Sequence, residues 1–291
     1  MKKWKKIATL ALCICVMSGN TAQAAVPAES TGYKAVFDAQ YYYNTYPDLQ
    51  KALGYDEGKL LNHFITEGMD EGRVGNAAFN VKAYMKNNLD LLAAFGIRNL
   101  STYYDHYIEH GKNEGRVATA TLPSKNPNEL AVFSTQYNTK EDRATNVELA
   151  SQRINGIVVQ PGKTFSFSKS ILSRTTRNGY VMAPSFASGR VVRSVGGGIC
   201  QVSSTLYVAM LLSSIPAAER HAHSLPVDYV PKGLDSAIVQ GVKDLRFKNP
   251  FDYPIRINSS YKDGTLTVSI TKVEEEAIKE VAERAKMTIV K

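Results

Sequence analysis

Ser194-Val195-Gly196-Gly197-Gly198-Ile199-Cys200-Gln201-Val202-Ser203-Ser204-Thr205-Leu206-Tyr207 joins a run of three glycines to the start of a helical pattern. One apolar helix face follows the glycines, made of Val202, Leu206, Ala209 and Ser213. This spacing predicts that Cys200 lies at or just before a helix N-terminus. Free N–H groups and the positive end of the helix dipole favour a thiolate there, and the thiolate is the nucleophilic form of cysteine. The alternative is a buried, inert cysteine after a tight turn.

The first residues have the three regions of a secretory signal peptide. Four lysines precede an apolar run from Ile7 to Met17, and Ala22-Gln23-Ala24 supplies an A-x-A cleavage pattern. The run is about half as long as a membrane-spanning helix needs, although a retained membrane anchor is the alternative. We predict a signal peptide over residues 1–24 and export to the extracellular space, the cell wall or the outer face of the membrane.

Removal of this segment changes the charge and the cysteine content. The formal net charge of +8 falls by four, because the segment holds four lysines and no acids. A mildly basic chain suits anionic wall polymers and lacks the signature of nucleic-acid binding. Cys13 and Cys15 lie in the apolar run, so Cys200 is the single cysteine of the mature chain. It cannot form an internal disulfide, which favours a reactive thiol.

Residues 35–117 contain one pattern twice, with a period of about 42 to 43 residues. The copies run from Phe37 to Arg73 and from Phe79 to Arg116. The pattern predicts short helices closed by glycine, with Gly68 as a C-terminal cap. One such unit can hardly bury a core alone, so the two are expected to stack. The pattern resembles repeats attached to many secreted bacterial proteins, which implies a wall-associated module and a possible contact with wall polymers.

Two histidines, His63 and His106, occupy equivalent positions of the repeats. A metal role is possible, but a hydrogen-bonded, structural role at a helix end is favoured. The tyrosines near Tyr42 could stack on sugars, and core packing is again the favoured interpretation.

The rest of the chain is patterned differently. Residues 118–128 read as a linker, residues 129–272 as an α+β domain with a mainly antiparallel sheet and few helices, and residues 273–291 as an amphipathic helix. The fold class is therefore α+β, preceded by a small all-helical repeat module. Predicted strands cover residues 130–137, 164–167, 189–195, 225–229, 237–240, 245–247, 253–259 and 266–271.

A second motif, Glu219-Arg220-His221-Ala222-His223-Ser224-Leu225-Pro226, carries the only histidines of this domain. In a strand both rings would point to one face and could serve a thiol as base or ion-pair partner. Asp235, Asp228 or Asp244 could orient a ring. A structural H-x-H pair is one alternative, and a zinc site of Cys200, His221 and His223 is another, although the spacing matches no closed four-ligand pattern.

These motifs resemble the signature of the VanW family. The resemblance runs from about Leu130 to Lys272 and rests on residues 196–207 and 219–227, Tyr229-Val230-Pro231, Gly233, Asp235 and residues 244–249. It implies a VanW-like catalytic domain over residues 129–272. The family was named for an accessory gene of glycopeptide-resistance clusters, and some of its members act as peptidoglycan L,D-transpeptidases with a cysteine nucleophile.

The residues and the resemblance together predict a mechanism. Cys200 attacks a tetrapeptide stem, His223 or else His221 keeps the thiol ionised and protonates the departing D-alanine, and Asp235 orients the histidine. An amine of a second stem then gives a 3-3 cross-link, whereas water would make the protein an L,D-carboxypeptidase. No cofactor and no metal are expected. Candidate oxyanion and substrate-binding residues are Gly197, Gly198, Ile199, Ser203, Ser204 and Arg220. A non-catalytic wall-binding protein is the alternative from another class.

Overall fold

The computed structural model describes residues 30–119, 126–187 and 189–274 of the 291-residue chain. The predicted signal peptide lies outside the described residues, as do residues 120–125 of the predicted linker and residues 275–291 of the predicted C-terminal helix. Export and the C-terminal helix therefore stay predictions. Within the described ranges, no helix has both the length and the apolar character that crossing a bilayer would require.

The N-terminal region is helical, as the repeats predict. Its helices are α1 (Ser30–Tyr33), α2 (Ala39–Thr45), α3 (Pro47–Leu53), α4 (Glu57–His63), α5 (Val81–Asn87), α6 (Leu89–Phe95) and α7 (Ser101–His106). The π-helical turns Phe64–Gly68 and Tyr107–Gly111 continue α4 and α7. Asp38 and Asn80 cap α2 and α5 at equivalent places, each accepting a hydrogen bond from a backbone N–H of the first turn.

The repeat histidines have the structural role that the sequence favours. The Tyr42 hydroxyl is hydrogen-bonded to His63 Nδ1 at 3.1 Å, and the Tyr84 hydroxyl to His106 Nδ1 at 2.9 Å. Both tyrosines are fully buried. Each repeat therefore joins its first helix to its last by one buried aromatic pair.

Gly68 does not have the capping role that the sequence predicts. It lies inside a π-helical turn, and a Cβ at this position would collide with the Tyr42 hydroxyl. Gly111 meets the Tyr84 hydroxyl in the same way. Close approach of an aromatic ring, rather than a left-handed backbone, is thus the reason for glycine at these two positions.

The C-terminal region is α+β, and its sheets are antiparallel, as expected. The four-stranded sheet has the order β1-β9-β8-β2, the three-stranded sheet the order β3-β7-β6, and β4 and β5 form a hairpin. The strands are β1 (Glu129–Gln136), β2 (Val158–Val159), β3 (Thr164–Ser166), β4 (Met182–Ala187), β5 (Arg190–Val195), β6 (Ala217–Glu219), β7 (Arg246–Lys248), β8 (Ile255–Lys262) and β9 (Thr265–Lys272). The helices are α8 (Arg143–Ile154), α9 (Phe167–Ser170), a 3-10 turn (Thr176–Asn178) and α10 (Ile199–Leu212).

Helix α10 is the central element of this region and packs against β1, β9 and α8. Most of its residues are buried around the whole circumference, which is typical of a core helix. The buried amide of Gln201 donates to Thr135 Oγ1 and to the Gln136 carbonyl, so both of its N–H donors are satisfied within the core. The core therefore fixes the position of the helix start, where Cys200 lies.

The two regions share a buried apolar cluster. Val208 and Leu211 of α10, with Val230 and Leu234 from a later loop, pack among the apolar side chains of the repeats. Gly233 lies beside Ala93 of α6. The boundary at residues 118–128 stays a prediction, but the repeats cover one side of the second region.

Two predicted strands, 225–229 and 237–240, are wrong. The first contains Pro226, which has no N–H for a ladder. In the second, the Ala237 N–H donates to the His221 carbonyl at 2.8 Å and the Ile238 N–H to Cys200 Sγ at 3.4 Å. The strand expected through the histidines also ends early, because β6 stops at Glu219. These segments are loops that surround the N-terminus of α10.

Candidate active site

The three glycines form the turn between β5 and α10. Gly196 and Gly198 have φ angles of 85° and 103°, in the left-handed region that glycine tolerates. A Cβ on Gly197 would collide with the carbonyl oxygens of Ala183 and Pro184 on β4. Asn146 Nδ2 donates to the Gly197 carbonyl at 2.8 Å and fixes the turn from α8. Because this turn is so tightly held, α10 begins at a defined place and Cys200 is its second residue.

The Cys200 side chain is half-buried and lines a cavity. Its Sγ accepts the Ile238 N–H at 3.4 Å. The Ser204 hydroxyl donates to the Cys200 carbonyl at 2.7 Å. The loop thus contacts the sulfur through Ile238, and Ser204 holds the backbone carbonyl of Cys200.

His223, Asp235 and Arg220 form a hydrogen-bonded series that ends at Cys200. His223 Nδ1 lies 2.6 Å from Asp235 Oδ2, which also accepts the His223 backbone N–H at 2.6 Å. Arg220 Nη2 donates to Asp235 Oδ1 at 2.7 Å. His223 is also in hydrogen-bond contact with the Cys200 side chain. Because Nδ1 of His223 is already hydrogen-bonded to Asp235, Nε2 is the ring nitrogen that contacts Cys200.

Charge interactions within this series favour a protonated His223 and an ionised Asp235. Burial alone would lower the pKa of His223, but hydrogen bonds and charge interactions with Asp235 and Cys200 outweigh it and raise the pKa to about 9. Burial would raise the pKa of Asp235, and the bonds from His223 together with the Arg220 charge lower it to about 2. At neutral pH, His223 is thus an imidazolium held by a carboxylate.

His221 is separate from this series. Its Nε2 lies 3.1 Å from Glu219 Oε1, and its side chain is 38% exposed, against 6% for His223. Of the two candidates, His223 and the alternative His221, only His223 contacts both Cys200 and Asp235. The zinc set that includes both rings has no geometric support. In the part of the chain that the structure describes, no three His, Cys, Asp or Glu side chains could hold a metal ion.

The backbone at the helix start offers candidate oxyanion donors. Of the N–H groups expected there, that of Gly197 donates to Ser194 and that of Ile199 to Gly196. The N–H groups of Gly198 and Cys200 have no acceptor among the described residues. An oxyanion next to Cys200 would thus be met by these two groups rather than by Gly197 and Ile199.

Three predicted substrate-binding side chains have other roles. The Ser203 hydroxyl donates to the Ser236 carbonyl at 2.7 Å, and the Ser204 hydroxyl accepts the Ser236 N–H at 2.8 Å. Both serines are fully buried. Arg220 is engaged with Asp235 and with the Gly233 carbonyl, and it does not line the cavity. These three side chains build the loop that carries Asp235, and their contacts do not support substrate binding.

The cavity in front of Cys200 has a volume of about 520 Å³. Cys200, Gly198 and His223 lie on its wall, together with residues that the sequence analysis did not select. These are Glu141, Arg143, Pro184, Ser185, Val191, Ser224, Pro226, Val227, Asp228, Tyr229, Ala237, Ile238, Val239 and Lys243. Mixed apolar and charged walls of this size suit a peptide-like ligand.

Arg143 and Tyr229 are the most informative of the residues that the sequence analysis missed. Arg143 is the first residue of α8, and its guanidinium carbon lies 5.9 Å from the centre of the Tyr229 ring. Burial and the charge of Cys200 raise the pKa of Tyr229, so its hydroxyl stays protonated. No local motif marks Arg143, because it reaches the start of α10 only through the packing of two helices. Tyr229 lies in the quoted Tyr229-Val230-Pro231 motif, which could have indicated it.

The chain is similar to two curated proteins. It is 34% identical over 156 residues to the uncharacterized protein YoaR of Bacillus subtilis (strain 168), which covers 53% of this chain and 52% of that protein. It is 29% identical over 123 residues to the vancomycin B-type resistance protein VanW of Enterococcus faecalis (strain ATCC 700802 / V583), covering 40% and 45%. The chain thus spans about half the length of these relatives.

No solved structure matches the chain. A family model described as VanW like protein matches residues 142–271. The matched range contains the glycine turn, α10, the His223–Asp235 pair and the two long strands β8 and β9. It begins next to Arg143 and excludes the repeats. Residues 142–271 are therefore a VanW-like domain.

Proposed function

We propose that this protein is a peptidoglycan L,D-transpeptidase in which Cys200 is the nucleophile. The observation that carries the proposal is the series Cys200–His223–Asp235 at the edge of the cavity. An imidazolium beside a thiol stabilises the thiolate, and a carboxylate behind the imidazolium keeps it charged and oriented. This arrangement supports the proposal of a cysteine acyltransferase.

The first half-reaction is the acylation of Cys200 by a tetrapeptide donor. The Cys200 thiolate attacks the carbonyl carbon of residue three, and a C–S bond forms while the carbonyl becomes an oxyanion near the N–H groups of Gly198 and Cys200. The C–N bond to the terminal D-alanine then breaks. His223 Nε2 gives its proton to the departing nitrogen, which leaves as the free amino acid.

The second half-reaction transfers the acyl group. A side-chain amine of a second stem attacks the thioester carbon and passes its proton to the now neutral His223. The C–S bond breaks, the thiolate is restored, and the new amide is a 3-3 cross-link. If water takes the place of the amine, the products are a tripeptide stem and no cross-link, which is the L,D-carboxypeptidase outcome.

The setting of the reaction is part of the proposal. The N-terminal pattern of lysines, apolar run and A-x-A site supports export to the wall. The name of the Enterococcus relative, a vancomycin resistance protein, agrees with a role at the cell wall. The repeats would contribute a contact with wall polymers.

Mass spectrometry of tetrapeptide muropeptides incubated with the purified protein tests the proposal. The expected products are released D-alanine, a dimer with the mass of two joined stems, and an acyl adduct on Cys200. Tripeptide without dimer would identify the hydrolytic activity. Ready alkylation of Cys200 by iodoacetamide, with no adduct from any stem, would leave a reactive thiol without this function. An inert thiol and intact muropeptides would favour the non-catalytic wall-binding protein.

A further inference from the structure

Arg143 differs from the other cations near Cys200 because its side chain is fixed and, among the described residues, no carboxylate neutralises its charge. Nη2 donates to Gln201 Oε1 at 2.9 Å, and the guanidinium lies over Tyr229. Lys243 also lines the cavity, but among the described residues its side chain forms no hydrogen bond or ion pair that would fix it. A planar guanidinium held in one orientation is suited to recognise a carboxylate through two parallel hydrogen bonds.

Gln201 explains the orientation of Arg143. Its amide nitrogen donates to Thr135 Oγ1 at 3.0 Å and to the Gln136 carbonyl at 2.7 Å. Both donors are thereby used, so the amide cannot flip and Oε1 must face Arg143. Gln201 is fully buried in the helix that carries Cys200. The amide holds the guanidinium in place without cancelling its positive charge.

No carboxylate forms an ion pair with Arg143 in the ranges that the structure describes. Glu141 and Asp228 lie on the same cavity wall, yet neither is within 4.0 Å of the guanidinium nitrogens. Arg220, by contrast, is paired with Asp235 at 2.7 Å. A half-buried guanidinium with a neutral partner retains its attraction for an anion that enters the cavity.

The position of Arg143 relative to the reacting atoms indicates which anion this is. A Cβ on Gly198 would collide with the Arg143 side chain, so Arg143 lies directly beside the candidate oxyanion donors. In a tetrapeptide stem, the terminal carboxylate is one residue away from the carbonyl that Cys200 attacks. An anion held next to Gly198 is therefore at the reach of that carboxylate when the scissile carbonyl is at the sulfur.

We propose that Arg143 binds the terminal α-carboxylate of the donor stem, so that the site selects peptides that end one residue after the scissile bond. This inference rests on the proposed function and deepens it. A tetrapeptide meets the requirement, whereas a pentapeptide carries an amide where Arg143 needs a carboxylate. Gln201 acts as a positioning residue, because it orients Arg143 and touches no substrate.

The test compares a tetrapeptide donor with the same peptide as a terminal carboxamide. The measured quantity is kcat/KM for acyl-adduct formation on Cys200. The unchanged protein is expected to prefer the free acid by about 100-fold, because a charge-assisted bidentate contact is lost with the amide. In Arg143→Gln, kcat/KM should fall for the free acid and stay unchanged for the carboxamide. The ratio of the two values should therefore fall towards one. Arg143→Lys should recover part of the preference.

Two further variants make the comparison specific. Arg193→Gln removes an exposed arginine that is paired with Asp142 outside the cavity, and it should keep the full preference. Lys243→Met removes the competing cation. A preference that survives in Arg143→Gln, or that disappears in Lys243→Met, would overturn the proposal. Should Arg143→Gln fail to fold, equal rates of the unchanged protein with acid and carboxamide would also overturn it.

Measurements of peptide binding distinguish a failure of the proposed role of Arg143 from a failure of the proposed transpeptidase activity. In a Cys200→Ala background, calorimetry with the two peptides should show tighter binding of the acid, and Arg143→Gln should abolish the difference. Carboxylate-dependent binding without any acyl adduct in the unchanged protein would leave Arg143 as a carboxylate site and refute the transpeptidase. Acylation without a carboxylate preference would refute the role of Arg143 and leave the transpeptidase standing.

Discussion

The repeats and the VanW-like domain each contain an arginine–aspartate pair with the same separation. In the second repeat, Arg116 Nη1 lies 2.7 Å from Asp90 Oδ2, and in the candidate site Arg220 Nη2 lies 2.7 Å from Asp235 Oδ1. The Asp90 side chain is 60% exposed, whereas the Asp235 side chain is 10% exposed. Solvent screens the first pair, while the second pair acts in a drier environment. The same separation between the charged atoms therefore has different energetic consequences in the two regions.

The pair in the repeats also occurs twice. Arg73 and Asp48 form it in the first repeat at 2.8 Å, at positions equivalent to Arg116 and Asp90. The site pair occurs once and is joined to His223 and Cys200. Repetition indicates a role in the architecture of each unit, whereas a single, buried and connected pair indicates chemistry. Substitutions in the two regions should therefore differ in their effects on activity and stability.

The largest difference in activity between substitutions in the two regions is expected for Cys200→Ala. We expect turnover of muropeptides to fall by about 10⁴-fold or more, because no other group can form the acyl intermediate. Cys200→Ser should be almost as damaging. The unfolding temperature should change little in both variants, since the thiol is half-buried and its helix is fixed by the core. Full activity of Cys200→Ala would refute the mechanism, and Tyr84→Phe in the repeats serves as the control that keeps turnover.

Asp235→Asn and Asp90→Asn form a matched pair of substitutions. The first should cost about 3 kcal/mol in the free energy of unfolding, because Arg220 and His223 lose their buried anion. The second should cost less than about 1 kcal/mol, since the pair is screened by solvent. Urea denaturation of both variants measures the difference. Equal losses would show that burial does not distinguish the two pairs.

Asp235→Asn should also lower activity, since the amide no longer favours a charged His223. Asp90→Asn should leave activity unchanged. The ratio of kcat/KM for the two variants gives this comparison directly, and an active Asp235→Asn enzyme would remove Asp235 from the mechanism.

The sequence predicts much of this site because its key residues are near one another in the two motifs or are unique in their domain. Cys200 is marked by glycines before it and a helix after it, and His223 by being one of two histidines. The choice of His223 over His221 needs the loop that brings Asp235 to one ring only. The role of Arg143 depends on Gln201 and on the packing of α8 against α10, which no local pattern contains.

The fold, like the site, is predicted correctly in some segments and wrongly in others. Long periodic segments such as β8, β9 and α10 are predicted correctly within a few residues. Residues 225–229 and 237–240 have strand-like composition, but their backbone groups bond to the site or lack a donor, and they form loops. Tertiary contacts therefore overrule local preference where the chain surrounds Cys200.

Stability should depend on pH through the site. Asp235 has a pKa of about 2 in the folded protein, below its ordinary value, so it stabilises the fold above about pH 4 and this contribution of about 2 kcal/mol is lost as the pH falls through 2. His223 has a raised pKa of about 9, so its contribution is complete below about pH 6.5 and is lost as the pH rises through 9.

The urea concentration at the unfolding midpoint, measured from pH 2 to pH 10, checks both the loss of stability in acid (the acid limb) and the loss in alkali (the alkaline limb). Asp235→Asn should remove the acid limb and weaken the alkaline one, because His223 then has no carboxylate partner. An alkaline limb that is unchanged in Asp235→Asn would assign it to another group.

The smallest predicted effect compares the repeats with each other. Tyr42→Phe and Tyr84→Phe each remove one half-buried hydrogen bond to a histidine and should each cost about 1 kcal/mol. Because the two pairs occupy equivalent positions of the repeats, the losses should agree within experimental error in a denaturant titration. A difference well above that error would show that the repeats are not equivalent and would weaken the link between repetition and architecture.

The contact between Gly233 and Ala93 has a consequence for how this chain can evolve. Gly233 has a φ of 94°, lies beside Ala93 of the second repeat, and offers its carbonyl to Arg220 at 3.0 Å. A larger side chain at position 93 would displace Gly233 and, through Arg220, the carboxylate of Asp235. The repeat and the VanW-like domain therefore cannot diverge independently, and under the proposed function selection on the site would also act on Ala93, which lies outside that domain.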